Sequence, residues 1–360
     1  MAKFPEYEVG KPIKIVIPDR GDAVYTATVE NAFTLFTMSP VLLVSLKTQN
    51  RTPASFGNET PALMILKLHD RRVTLEREHF LDEPEYKEEE KRAYRAYLSR
   101  VRSGELQHID FADALKTYAI YDFTPARMEG YFNHQAHQYH EAELTAYRRL
   151  EELQGTLIPR LYTSVQALVE SEYLEEGEAV PGLLIEYIPS VTLRQFFATN
   201  PPYRPEVVAH ICEDAVRLIH RVSDFEALNR DVRLDNILVR QSILSLFQES
   251  PTPPFEEYKG KTCVAIDLSH VRFRREDEEY LDWMDEKGEQ GEADNIGVNC
   301  ERQIRESYLG PKDLVKDKFG GGVWRYKQTM RFYVPRNEEE EEEIKTFMEK
   351  NKLEPWVGPH

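Results

Sequence analysis

The stretch "LNRDVRLDNILV", residues 228–239, packs charged and amide side chains into a short span before an apolar run resumes. Asp231 and Asn236 have the D-x4-N spacing that phosphoryl transfer uses. In that chemistry the carboxylate accepts the proton of an attacking hydroxyl, and the amide oxygen binds a metal ion. A solvated turn before a strand would explain the same polarity. The rest of the chain has to decide between these two interpretations.

Three residues elsewhere in the chain favour the chemical interpretation. Lys67 lies in the apolar run "LMILKL", where burial of a charge is costly unless it is paired. Glu143, on the predicted helix "EAELTAY", is the partner that we assign, because a Lys–Glu pair holds the α- and β-phosphates of ATP in kinases. Asp267 ends the apolar strand "VAIDLS", and a hard cation such as Mg²⁺ prefers such an oxygen ligand. The order of these groups along the chain is more specific than any one of them.

Composition limits the classes of partner. The chain has 360 residues, 41% of them hydrophobic, and a formal charge of −17, so it is long enough for one large or two moderate domains. No basic cluster offsets the acidic balance, which argues against a nucleic-acid partner. No apolar run is long enough to span a bilayer, so we expect no membrane partner. Three dispersed cysteines without a CxxC pair fit a reducing compartment, and we expect a soluble, cytoplasmic protein, with the nucleus as an alternative.

The hydrophobic patterns predict an α+β fold in two parts. Short β-branched and aromatic runs over 12–68 indicate strands, and charged sequence from about 70 to 154 indicates helices. A strand is predicted at 182–188 and a helix over 205–222. The order predicts a small antiparallel β region with an inserted helix, followed by a mainly helical region from about 189–192. A cleft between two such parts is a natural place for a ligand.

The chain resembles the protein-kinase-like superfamily, and within it a fungal branch of kinase-like proteins. The text that carries the resemblance is "LKLHDRR", "EAELTAYRRLEELQGTLIPRLY", "NRDVRLDN", "AIDLSHVRFRRED" and "DWMDEKGEQGEADNIG". The resemblance implies a bilobal kinase-like fold. Its N-lobe would be residues 1–188, with a helical insertion at about 70–140 and a helix like αC of kinases at about 140–154. Its C-lobe, residues 189–360, would hold the catalytic loop 229–236 and an acidic C-terminal tail region.

The same resemblance implies a phosphotransferase that uses ATP and Mg²⁺ and transfers the γ-phosphate to a hydroxyl of a protein or small molecule. Lys67 and Glu143 would position the phosphates, and Lys67 would also be a catalytic residue. Asp231 would orient the acceptor hydroxyl. Asn236 and Asp267 would hold the metal.

Further positions take their roles from the resemblance alone. Glu186 and Ile188 would offer backbone hydrogen bonds to adenine, with Ile185 as the gatekeeper. Asp294 would brace the catalytic loop from below. The insertion at 70–140 is either a candidate partner surface or a solvated helical layer packed on the small lobe.

The chain departs from the kinase pattern where a glycine-rich loop would cover the phosphates. No G-x-G-x-x-G occurs there, and "TMSP", residues 37–40, stands in its place. Met38 and Ser39 are the residues whose N–H groups we expect to face the phosphates, from a tighter turn.

Other departures concern the catalytic and activation segments. Arg233 stands where Ser/Thr kinases have a lysine on the γ-phosphate, and we assign it that catalytic role with a different geometry. Asp267-Leu268-Ser269 replaces the usual Asp-Phe-Gly, and only 26 residues separate Asp267 from Asp294, with no Ala-Pro-Glu. A short activation segment favours a small-molecule acceptor, a very particular protein, or no turnover. The alternative function is therefore a pseudokinase that binds or scaffolds without transferring phosphate.

A competing metal site is present in "HQAHQYHE". His134, His137, His140 and Glu141 could bind zinc from one helix face, or they could form a polar surface leading into the Glu143 helix.

Overall fold

A computed structural model gives the structure of most of the chain and divides it into two compact units. The first unit comprises residues 1–144 and 160–187, and the second comprises residues 145–159 and 188–360. The structure describes residues 4–18, 23–33, 39–47, 62–73, 88–105, 125–169, 179–199, 203–250, 252–304, 342 and 346. Met38, much of the predicted insertion and most of the predicted acidic tail region lie outside these residues.

A closed antiparallel barrel forms the centre of the first unit. Its strands are β1 (Pro12–Ile17), β2 (Ala23–Ala32), β3 (Val41–Lys47), β4 (Met64–Leu68), β5 (Leu161–Leu168) and β6 (Val180–Glu186). They follow the order β1-β2-β3-β4-β6-β5, and β5 pairs back onto β1. Closure satisfies the backbone groups that the edge of an open sheet would leave exposed. The expected combination of antiparallel sheet and helices is thus confirmed.

Alternation along β4 determines where Lys67 points. Met64, Leu66 and Leu68 belong to the apolar core inside the barrel. Because successive side chains of a strand point to opposite faces, Ile65 and Lys67 lie on the outside of the barrel. All five residues of β4 are nevertheless buried, so this outer face is covered as well.

Two helices accompany the barrel, α1 (Glu88–Arg102) and α2 (Pro125–Arg149). The sequence predicted an insertion to about 140 and a separate helix over about 140–154, whereas α2 is continuous through this boundary and ends before a 3-10 turn at Glu151–Leu153. Helix α2 begins at Pro125, well before residue 140, because a mainly aromatic cluster packs its first half on α1. The members of this cluster are Tyr94, Tyr97, Met128, Tyr131 and Phe132.

The second unit is mainly helical, with two small antiparallel sheets. The sheets have the orders β10-β9-β7 and β11-β8. Their strands are β7 (Ser190–Thr192), β8 (Ala227–Asn229), β9 (Ile237–Arg240), β10 (Cys263–Ala265) and β11 (Val271–Phe273). The helices are α3 (Leu193–Phe197), α4 (Pro205–Ser223), α5 (Gln241–Glu249), α6 (Phe255–Tyr258), α7 (Tyr280–Gln290) and α8 (Glu292–Ile304). Among the helices of the described ranges, none has the length and apolar character needed to cross a membrane.

The cysteines, far apart in sequence, are all buried in the second unit. Cys212 on α4 interacts with Cys300 on α8, and Cys263 lies on β10. Burial raises the pKa of the Cys212 and Cys263 thiols well above the usual value. Because the thiolate is the reactive form, burial makes Cys212 and Cys263 poorly reactive core side chains.

Gly130 tests the packing of α2 on α1. A Cβ atom at Gly130 would lie 2.6–2.9 Å from three ring atoms of Tyr97, which is itself buried in the aromatic cluster. We expect Gly130→Ala to lower the free energy of unfolding by roughly 1–2 kcal/mol, because overpacking outweighs the better helix propensity of alanine. Gly288→Ala, in α7 with open space around the added methyl, is the matched control and should stabilise by about 0.5–1 kcal/mol. Thermal denaturation of both variants checks this prediction, and an equal gain in stability would contradict it.

Candidate functional site

The predicted pair of Lys67 and Glu143 is formed in the first unit. Lys67 Nζ lies 2.9 Å from Glu143 Oε1 and 2.8 Å from Oε2, although the residues are 76 positions apart. Lys67 is 6% exposed and Glu143 is fully buried. A buried ammonium requires such a partner, since the desolvation of either charge alone would cost several kcal/mol. The pair holds one cation in a fixed position on the outer face of β4.

His69 lies beside this pair and connects it to Ser39. Its Nε2 atom is 3.3 Å from Glu143 Oε2, and its Nδ1 atom is 3.3 Å from Ser39 Oγ. The ring also packs edge-on against His140, with centroids 5.5 Å apart. Burial lowers the pKa of His69, although the neighbouring Glu143 carboxylate opposes this effect. His69 is thus neutral at neutral pH.

The loop 229–236 in the second unit is held from its first residue. The backbone N–H of Asn229 donates to Glu292 Oε1 at 2.6 Å, and the Asn229 side chain accepts from the backbone N–H of Asp231 at 2.9 Å. An asparagine side chain that bonds the backbone two residues ahead fixes a turn. The turn therefore presents Asp231 in one orientation.

Asp231 and Asn236 meet across this loop. Asn236 Nδ2 donates to Asp231 Oδ2 at 2.8 Å and to the Asp231 carbonyl at 3.0 Å. Since both partners are acceptors, the amide must turn its NH₂ group toward Asp231 and its Oδ1 atom away. Arg233 Nη2 also approaches Asp231 Oδ2, at 3.2 Å. Asn236 and Arg233 therefore both contact Oδ2 of Asp231.

Asp267 lies on a second turn, between β10 and β11. Backbone hydrogen bonds join this turn to the loop, from Ile266 N to Asn236 O at 2.9 Å and from Arg230 N to His270 O at 3.3 Å. Asp267 has φ +59°, a left-handed conformation that is uncommon for residues other than glycine. Ser269 Oγ donates to Asp267 Oδ1 at 2.8 Å and orients the carboxylate. The structure thus places Asp231, Asn236 and Asp267 on two adjacent turns.

The oxygen atoms of Asn236 and Asp267 are suitable ligands for Mg²⁺. This hard cation usually binds one or two protein carboxylate or amide oxygens and completes its shell with water and substrate phosphates. Within the described ranges, no three or more His, Cys, Asp or Glu side chains form a group that could hold a metal ion. A Mg²⁺ site with two protein ligands does not need such a group. The same finding leaves the alternative zinc site without support. His140 instead contacts Ser164 Oγ at 3.1 Å through Nε2.

The positions assigned to adenine already make local hydrogen bonds. Ile185 and Glu186 end β6 in the first unit, where Glu186 N donates to Arg160 O at 2.8 Å and its carboxylate accepts from Arg160 N at 3.0 Å. In the second unit, the Ile188 carbonyl accepts from Ser190 Oγ at 2.8 Å.

Two residues that the sequence did not single out contribute to these sites. Glu292, at the start of α8, makes the bracing contact to the loop that we expected from Asp294, whose side chain lies outside the described residues. The left-handed Gly291, at φ +52°, ends α7 and places Glu292 in the first turn of the next helix. His69 is the other residue. Its only sequence signal is its position two residues after Lys67, on the same face of an extended chain.

Comparison with known proteins adds little to the geometry. No family model matches the sequence, and no curated protein matches it. A solved structure described as "WaaP in complex with acyl carrier protein" is similar at 13% identity, with a TM-score of 0.36 over 84% of this chain and 89% of that chain. A TM-score of this size gives no basis for transferring either fold or function.

Proposed function

We propose that the chain is an ATP- and Mg²⁺-dependent phosphotransferase with a bilobal protein-kinase-like fold. It would transfer the γ-phosphate of ATP to a hydroxyl on a protein or a small molecule. The observation that carries this proposal is the assembly of Asp231, Asn236 and Asp267 on two turns tied together by backbone hydrogen bonds. Phosphoryl transfer needs little covalent help, so positioned charges of this kind are sufficient for catalysis.

Each site residue has a role that its contacts support. Lys67, held by Glu143, supplies a positive charge for the phosphates. Asn236 and Asp267 would hold Mg²⁺, which neutralises the charge that develops on the transferred group. Asp231 would accept the proton of the acceptor hydroxyl. Arg233, whose Nη2 lies 3.2 Å from Asp231 Oδ2, would bind the γ-phosphate with its permanently charged guanidinium.

The remaining assignments concern the nucleotide. The backbone N–H groups of Met38 and Ser39 would face the phosphates. The backbone of Glu186 and Ile188 would bind adenine behind Ile185. The contacts of these five residues with ATP are part of the proposed function.

Folding alone does not account for the buried charges. Replacing a buried ion pair with apolar residues of similar volume is often neutral or stabilising, so Lys67 and Glu143 are not required for a stable barrel. Asp267 likewise keeps a left-handed conformation that glycine would adopt at lower cost. Strain retained at a charged residue is typical of functional sites.

A nucleotide-binding protein without transfer activity is the second candidate. Residues 37–40 lack the glycines that allow close backbone approach to phosphate, and Ser269 replaces the glycine that usually follows the metal-binding Asp by two residues. Such a protein would bind ATP as a scaffold. It would show nucleotide-dependent stabilisation without any ADP formation.

Thermal denaturation with ATP, in the presence and absence of Mg²⁺, tests the proposed site. A ligand that binds only the folded state stabilises it by about 2.7 kcal/mol at one hundred times its Kd. We expect MgATP to raise the melting temperature of the wild type and to have much less effect on Asp267→Asn. Asp277→Asn is the matched control, since Asp277 is exposed on the same unit, and should respond like the wild type. No shift at any millimolar concentration of MgATP would contradict the proposal.

A further inference from the structure

His69 is a buried titratable residue to which the proposed chemistry gives no role. It follows Lys67 by two residues, so both side chains leave the extended chain on the same face. His69 is 2% exposed, and its two ring nitrogens contact two different candidate site residues, Glu143 and Ser39. Each ring nitrogen therefore lies 3.3 Å from a polar atom of a candidate site residue.

The chemistry of the partners favours one tautomer. The Glu143 carboxylate can only accept, so the tautomer with the hydrogen on Nε2 of His69, facing Oε2, is the favoured one. In the neutral ring Nδ1 is then an acceptor, and the Ser39 hydroxyl donates to it. Glu143, Lys67 and His140 are the titratable groups that face the ring. Burial, with the charges of Lys67 and His140, keeps the pKa of His69 low and favours this neutral form.

His69 Nε2 is a second polar group beside the Glu143 carboxylate. Lys67 contacts both carboxylate oxygens of Glu143, at 2.9 and 2.8 Å. A lysine ammonium has no preferred plane, so these two contacts alone do not fix the rotation of the carboxylate. The imidazole on Oε2 limits the rotation of the carboxylate. The 3.3 Å separation of His69 Nε2 and Glu143 Oε2 is that of a close contact between two buried polar atoms, too loose for a well-aligned hydrogen bond.

We propose that His69 is a positioning residue that fixes the Glu143 carboxylate against Lys67 and links this pair to Ser39. The proposal rests on the proposed function in one respect, since it assigns the Lys67–Glu143 pair to phosphate binding. Ser39 lies in the segment expected to face the phosphates. Because its hydroxyl hydrogen is directed to His69, Ser39 would offer phosphate its backbone N–H.

Two isosteric substitutions separate the bonds of the two ring nitrogens. In His69→Gln the amide NH₂ reaches the position of Nε2 and keeps the donor to Glu143. In His69→Asn the shorter amide takes the position of Nδ1, so the contact with Ser39 is kept and the donor to Glu143 is lost. We expect His69→Asn to raise the Kd for MgATP on the order of tenfold, as losing a supporting partner of a ligand residue does. His69→Gln should stay close to the wild type.

A second measurement needs no nucleotide. Acylation of the Lys67 amine by a short pulse of an amine-selective reagent, followed by mass spectrometry, reports how firmly Glu143 holds it. Labelling should be faster in His69→Asn than in the wild type or His69→Gln. If the wild type binds no MgATP, the proposed function fails, while the labelling still tests His69.

A purely structural role for His69 predicts a different result. Both substitutions would then lower the melting temperature alike and leave Lys67 labelling equal, and that result would overturn the proposal. If His69→Asn does not fold, Ser39→Ala takes its place, because it removes the donor that orients the ring. Faster Lys67 labelling in Ser39→Ala supports the proposal, and unchanged labelling overturns it.

Discussion

Asp231→Asn should lower the rate of ADP formation from MgATP by about 10²–10⁴-fold, the usual contribution of a positioned general base. The substitution keeps the shape of the side chain, and its oxygen can still accept from Asn236, whose amide now bonds to Asp231 Oδ2 at 2.8 Å. What is lost is the negative charge that accepts the proton of the attacking hydroxyl. Binding of MgATP should be retained, because Asp231 is not assigned to the nucleotide.

Asp235→Asn is the matched control for this prediction. Asp235 lies in the same loop, is 44% exposed and pairs with the exposed Arg194 at 2.8 Å. An exposed pair of this kind contributes little to stability, so the variant should fold and retain the wild-type rate. Equal rates for Asp231→Asn and the wild type, or an equal loss in Asp235→Asn, would show that the charge of Asp231 is not specifically required.

A second large effect, on stability, is expected from the buried charge network of Asp70 and Arg72, which follow the strand that carries Lys67. Arg72 donates through Nε to Asp70 Oδ1 at 3.0 Å and through Nη2 to Oδ2 at 2.5 Å. Tyr7 OH donates to Asp70 Oδ2 at 2.6 Å, and Arg72 Nη1 contacts Glu6 at 2.7 Å. Asp70 and Arg72 are nearly fully buried. The network ties the N-terminal residues to the end of β4.

Asp70→Asn should lower the free energy of unfolding by about 3 kcal/mol at pH 7, the lower end of the cost of breaking a buried pair, because Arg72 keeps its contact with Glu6. Hydrogen exchange in the barrel strands and thermal denaturation would both measure the loss. Asp224→Asn is the matched control, because Asp224 pairs with Arg221 at the exposed surface and should cost no more than about 1 kcal/mol. Similar losses in the two variants would mean that the Asp70 network contributes little.

The stabilisation that Asp70 provides should decrease at low pH. Burial alone would raise the pKa of Asp70, but the charge and hydrogen bonds of Arg72 and the hydrogen bond from Tyr7 outweigh it and lower the pKa below the usual value. The stabilisation is therefore complete above the unfolded-state pKa of about 4 and is lost as the pH falls through the lower folded-state pKa. The difference in stability between the wild type and Asp70→Asn should accordingly shrink below about pH 4.

Local patterns were enough to predict several elements. The helix predicted over 205–222 is α4, Pro205–Ser223, because an apolar face at helical spacing follows a proline at its start. The run "VLLVSL" is β3, Val41–Lys47. These segments carry their own periodicity, so no distant contact was needed to identify them.

Long-range contacts limited the rest of the prediction. Closure of the barrel depends on pairing between β1 and β5, which are distant in sequence and carry no signal of their order. The segment "HDRR", residues 69–72, looks like a polar turn after a strand, yet all four side chains are buried. Their partners, including Glu143, Glu129 and Tyr7, come from distant segments. Sequence reasoning could assign Lys67 to Glu143, but it could not identify the charges around them.

Phosphotransferase activity is tested by ADP formation from ATP by the wild type and by Asp267→Asn, measured with and without Mg²⁺. Asp277→Asn again serves as the control. Water or an added hydroxyl compound can act as the acceptor. A phosphotransferase of the proposed kind should form ADP only with Mg²⁺, and this activity should persist in Asp277→Asn and be lost in Asp267→Asn. Formation that is independent of Mg²⁺ and of Asp267, or Mg²⁺-dependent binding of ATP without any ADP, would contradict a phosphotransferase.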